Sequence, residues 1–236
     1  MKPVAVVQHC HNVRPGHFAS FLQTRGIPFE LFAIDRGDSL PASIEAFSGL
    51  CFMGGPMSVN DELPWIVQEL DLIRAAVAAD MPVIGHCLGG QLMSKALGVP
   101  VTRNPVKEIG WGRVVPTATP EAQSWLGGQA PFDVYQWHGE TFALPPGAVR
   151  ILEGEVCVNQ AWVMGPHLAM QFHIEMTEEL ITEWNGEWRD EFAGESCLPP
   201  SVQTPGAQFE QLPHKLPIMR TVAERLYTHW ARNLRA

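Results

Sequence analysis

Two hydrophobic periods alternate along the first hundred residues. Val4 to Val7, Phe29 to Ile34, Leu50 to Met53 and Val83 to Gly85 are short, mostly apolar runs, the pattern of strands covered on both faces. Between them the spacing turns helical. His17 to Arg25 reads as a short helix between the Pro15-Gly16 break and Gly26. Glu62 to Ala79 places apolar residues at 63, 66, 67, 70, 73 and 77, which draws one stripe along a helix. After Gly85, the residues Leu88, Leu92, Met93, Ala96 and Leu97 resume that spacing. Strands alternating with helices predict an α/β fold, a parallel sheet with helices on both faces.

The pattern changes after Val99. Ile109 to Val115, Val134 to His138, Val149 to Leu152 and Ala161 to Met164 are short strand-like pieces punctuated by Pro and Gly. They predict a small antiparallel segment inserted into the α/β pattern. Leu168 to Phe172 is one more apolar strand, and Thr177 to Phe192 is expected to be helical. Residues 193–215 are rich in Pro, Gly, Ser and Gln and read as a long loop before a last helix at about 216–234. The expected organisation is one domain over 1–192, with 193–236 as a loop and helix packed on it.

Composition narrows the function classes. The chain has 236 residues, 46% of them hydrophobic, with a formal charge of −9 and only 16 Lys plus Arg. There is no basic stripe, so nucleic-acid binding is not expected. No apolar run is long enough for a bilayer, so no membrane association is expected either. The first residues read as a strand rather than a secretory signal. Five cysteines with no framework spacing then point to reduced thiols in the cytoplasm.

One cysteine stands where chemistry is expected. In PVIGHCLGGQL, Cys87 lies between a strand and a helix among Gly85, Gly89 and Gly90. A helix N-terminus offers free N–H groups and a partial positive charge, which favour a thiolate. The glycines permit the tight turn and a close approach of substrate, and the Leu88 N–H after the thiol could face an oxyanion. A thiol nucleophile needs an imidazole, best steadied by a carboxylate. LAMQFHIEMT supplies His173 and Glu175, two apart at a strand end and so on one face. Gly54-Gly55-Pro56 follows a third strand, and the Gly55 N–H could complete a two-donor oxyanion hole.

GHCLGGQ, GGPMS and QFHIE, in this order, resemble the three signatures of class I, triad-type glutamine amidotransferases, over roughly residues 1 to 190. QWHGETFALPPGA at 136–148 resembles the corresponding segment of the GMP synthase glutaminase domain. The resemblance implies a flavodoxin-like α/β fold and a triad of Cys87, His173 and Glu175, with Gly55 and Leu88 as oxyanion hole. It also implies that Gln91 helps bind glutamine, and that the backbone near His138, Gly139 and Glu140 holds its amino and carboxylate groups. The chemistry implied is hydrolysis of the glutamine side-chain amide through a γ-glutamyl thioester, with no metal or organic cofactor. The chain carries no SGGxDS-type phosphate loop, so a complete GMP synthase is not expected. A subunit passing ammonia to a separate synthase fits, and so does a free-standing hydrolase of γ-glutamyl amides or peptides. A silent binding module on this fold is disfavoured by the intact triad.

Other residues are expected to be structural. His9-Cys10-His11 ends the first strand on the active face, where it could line the pocket. No second ligand pair stands at finger-like spacing, so no metal is expected there. Cys51 reads as core, and Cys157 and Cys197 as incidental. Trp111, Trp137 and Trp162 in the inserted region could form a binding wall but are expected to pack, as are Trp184 and Trp188 on one helix face.

Overall fold

The computed structural model describes residues 1–192 and 198–235. Among the described residues nine strands, β1 (Val4–Gln8), β2 (Phe29–Ala33), β3 (Gly49–Phe52), β4 (Val83–His86), β5 (Val101–Pro116), β6 (Phe132–Phe142), β7 (Val149–Gly154), β8 (Ala161–Met164) and β9 (His167–Met170), form one sheet in the order β2-β1-β3-β4-β9-β8-β7-β5-β6. The first five strands of that order pair in parallel and the rest antiparallel. The expected antiparallel segment is therefore present, as a continuation of the same sheet.

The parallel strands bury both faces. Val4, Val6, Cys51, Met53 and Ile84 pack into one core layer, and Ala5, Val7, Leu50, Phe52 and Val83 into the other. That two-sided burial is why these strands lack polar alternation. Helices α2 (Pro64–Ala78) and α3 (Leu88–Ala96) cover the second face. Helix α1 (Gly16–Thr24), α4 (Pro120–Leu126), α5 (Glu178–Glu187) and α6 (Pro205–Ala231) contribute to the first.

The end of the chain departs from expectation. Helix α6 starts at Pro205, not near 216, so much of the expected loop is helical. Thr204 caps it by accepting from the Ala207 N–H, and Pro205 suits the first helical turn. Pro213 and Pro217 sit inside the helix, four residues apart on its exposed side. Each removes the N–H that would bond the carbonyl four residues earlier, at Phe209 and Pro213. On the solvent side water can replace those bonds, so the helix survives. Its opposite side is apolar: Leu212, Leu216, Met219, Val222, Leu226 and Trp230 are buried. Residues 193–197, including Cys197, lie outside the described residues.

Candidate active site

At the end of β4 the chain turns abruptly into α3, and Cys87 makes the turn with φ 50° and ψ −106°. A side chain in this region costs about 1–3 kcal/mol, so the surroundings must impose it. They do. The Cys87 N–H donates to the Met170 carbonyl at 2.8 Å, and its carbonyl accepts from Gln91 at 3.0 Å. A β-carbon at Gly89 would stand 2.1 Å from the Phe52 carbonyl oxygen, and one at Gly90 2.6 Å from that of Met170. The glycines thus seat α3 directly on the sheet. The N–H groups in the first turn of α3, Leu88 included, have no helical carbonyl to donate to.

His173 lies three residues beyond β9, past the strand end as expected, with the strand stopping at Met170 rather than Phe172. Its own N–H donates to the Tyr135 carbonyl at 2.8 Å, pinning the segment to β6. Its Nδ1–H donates to Glu175 Oε1 at 2.7 Å, and both residues are buried. The Cys87 sulfur lines the same pocket as this imidazole. Burial pulls the His173 pKa down, but Glu175 and the Cys87 sulfur outweigh it and hold it at about 10. Burial likewise opposes ionisation of Glu175, yet His173 and then His86 leave its pKa below the usual value. The indole of Trp184 stands edge-on to the His173 ring, with centroids 4.7 Å apart.

A pocket of about 280 Å³ opens above these groups and brings together Gly55, Cys87, Gln91, His138, Gly139, Glu140 and His173. Glu175 lies behind His173, and Leu88 is buried beneath, with its side chain 3.0 Å from where a Gly55 β-carbon would be. Gln91 Nε2 donates to the Glu140 carbonyl and to Gln171 Oε1, both at 3.3 Å. The His138 imidazole turns toward Glu108: Nε2 is 3.1 Å from Oε2, while Nδ1–H donates to the Glu140 carbonyl at 2.9 Å. Cys157 lies within 4.8 Å of this pair. Its thiol bonds Thr141 Oγ1 at 3.1 Å, and burial first of all pushes its pKa to about 11, so it stays protonated. Cys157 is thus buried and hydrogen-bonded.

Sequence reasoning missed several residues in and behind the pocket. Gln171 Nε2 donates toward Cys87 Sγ at 3.6 Å; its place two before His173 repeats the His173-x-Glu175 spacing and was the available signal. Ser58, inside the GGPMS stretch, donates to Glu140 Oε2 at 2.9 Å. Lys107 and Glu191 form an ion pair at the rim. Trp137, Trp184 and Trp188 line the pocket as well as packing together. Trp111 and Trp162 are buried as expected. His9 is fully buried beneath the Gly54-Gly55 loop rather than in the pocket wall, while Cys10 is half-buried and burial raises its thiol.

A model of the family described as glutamine amidotransferase class-I matches residues 18–182. The chain belongs to this family. A glutamine amidotransferase-like protein of Salmonella typhimurium is 31% identical over 186 residues, covering 74% of this chain and 78% of the relative. The GMP synthase of Aeropyrum pernix is 25% identical over 185 residues, 72% of this chain, and the match spans about a third of that protein (34%). A crystal structure of a glutamine amidotransferase from Methylobacillus flagellatus superposes with a TM-score of 0.96 at 44% identity, over 100% of this chain and 96% of that one. One from Thermotoga maritima gives 0.86 at 25%, with 97% of each chain covered. The family's mixed sheet flanked by helices is the fold described above. No helix among the described residues is long and apolar enough to cross a membrane.

Proposed function

We propose that the chain hydrolyses the side-chain amide of glutamine through a γ-glutamyl thioester on Cys87. One observation carries the reading: Cys87, held in a strained turn, lines one pocket with a buried imidazole that Glu175 holds at 2.7 Å. His173 keeps the proton taken from the thiol, and Glu175 stabilises the imidazolium. Sulfur attacks the amide carbon, and the oxyanion is met by the N–H groups of Gly55 and Leu88. The proton on His173 passes to the leaving nitrogen, and ammonia departs. His173 then deprotonates a water, which attacks the thioester to release glutamate and restore the thiol. Gln91 and the strand from His138 to Glu140 bind the α-amino and carboxylate end in this reading.

Residues 1–192 act as the catalytic domain in the same proposal, with 193–236 as its extension, and α6 docked on β5 and β6 supports this. A working thiol suits a reducing compartment such as the cytoplasm. Ammonia released here would pass to a separate synthase. The indoles of Trp137 and Trp188 favour a second reading, because they offer apolar wall that glutamine itself does not need. In it, the substrate is a larger γ-glutamyl amide or peptide.

A glutamine-analogue electrophile, followed by peptide mapping, tests the nucleophile. Label on Cys87 is expected, with glutamine hydrolysis abolished in Cys87→Ala and Cys87→Ser and largely kept in Cys10→Ala. Loss in the Cys10 variant with survival in both Cys87 variants would overturn the assignment. Faster turnover of γ-glutamyl peptides than of glutamine decides for the second reading, and co-purification with an ATP-using synthase for the first.

A further inference from the structure

The donor assigned to Gly55 belongs to the Gly54–Gly55 peptide, and that peptide has little intrinsic preference for one orientation. Both flanking residues are glycines, which turn readily to either hand. The peptide is trans, so its C=O and N–H point in opposite directions. Whatever grips the Gly54 carbonyl therefore aims the Gly55 N–H the other way.

His9 is that grip. Its Nδ1 lies 3.2 Å from the Gly54 carbonyl oxygen, and a carbonyl only accepts, so Nδ1 carries the proton. On the other side of the ring, Nε2 lies 3.0 and 3.2 Å from the two carboxylate oxygens of Glu69 on α2. Both residues are fully buried, and Trp65 stacks on the imidazole with centroids 5.1 Å apart. Burial pulls the His9 pKa down, but Glu69 and the backbone carbonyls lift it above its ordinary value. A doubly protonated ring satisfies both partners at once. A buried ion pair of this kind is weak evidence for stability, since an apolar pair of similar volume often does as well. Its grip on the Gly54 carbonyl points to another role.

We infer that His9, backed by Glu69, is a positioning residue that orients the Gly54–Gly55 peptide so that the Gly55 N–H faces the thiol's substrate. The inference rests on the reading of Gly55 as an oxyanion donor. It also answers why a histidine follows β1: its partner, Glu69, lies sixty residues away in sequence.

Two double variants separate orientation from structure. His9→Phe with Glu69→Leu removes the charges and the donor while filling the space. His9→Asn with Glu69→Gln also removes the charges, but the Asn side-chain N–H replaces Nδ1–H. The Phe/Leu variant is expected to lose about 100- to 1000-fold in kcat for glutamine, the usual effect of losing one oxyanion donor, with KM little changed. The Asn/Gln variant keeps most of kcat. Alkylation of Cys87 by iodoacetamide forms no oxyanion and stays near the wild-type rate in both. A crystal structure of the Phe/Leu variant shows the peptide turned, a readout that needs no turnover.

Wild-type kcat in the Phe/Leu variant, or an unmoved peptide, overturns the inference. So does a parallel fall of kcat and alkylation in both variants, the mark of a merely structural pair. Full turnover by Cys87→Ala would instead remove the nucleophile reading on which it rests.

Discussion

Replacing Cys87 by glycine should give a more stable protein than replacing it by alanine, the reverse of the usual order. Both variants lose the sulfur and its packing, so those losses cancel in the comparison. At an ordinary position glycine is about 0.5–1 kcal/mol worse than alanine because it frees the unfolded chain. At φ 50° and ψ −106° alanine keeps the strain and glycine does not. Relief of about 1–3 kcal/mol offsets or exceeds the entropic loss, leaving glycine ahead by up to roughly 2.5 kcal/mol. For a chain of this size each kcal/mol moves the melting temperature by about 2–4 °C. Differential scanning calorimetry of the two variants at one pH and scan rate measures the difference. Alanine melting at or above glycine would refute the claim that this turn is strained and held by its surroundings.

Two further outcomes follow from the site. Because His173 is lifted from 6.5 to about 10, its share of stability is complete below pH 6.5 and drains away as pH rises toward 10. Urea midpoints across that window should fall more steeply for the wild type than for His173→Gln, and equal slopes would contradict the pairing with Glu175. Gly89→Ala should destabilise by at least about 1–3 kcal/mol, the usual cost of overpacking, because its methyl would meet the Phe52 carbonyl 2.1 Å away; an unchanged melting temperature would show that α3 can lift off the sheet freely.

The parallel half was legible in the sequence because its strands are buried on two sides and Gly or Pro marks most breaks. The turn at Cys87 was legible because glycines crowd that one strand-to-helix junction. Strand β5 was read too short. Its outer half carries exposed Thr102 and Arg103, and its pairing with β6 shifts register between Arg103 and Glu108, so the period of two is broken. Helix α4 has only seven residues, too few for a clear stripe. The start of α6 was hidden by prolines that only an exposed face makes tolerable. His9 looked idle because nothing near it in sequence answers it, and the indoles of Trp137 and Trp188 meet only after β6 and α5 pack.

The two prolines of α6 also shape what can dock on this side of the protein. The carbonyls they leave to solvent keep their stability only while something donates to them. A dry, apolar partner laid over that face would strip the water and cost about 1–3 kcal/mol for each oxygen left bare. A partner seated there must arrive with its own N–H or O–H groups aligned to Phe209 and Pro213, or else keep the water trapped at the contact.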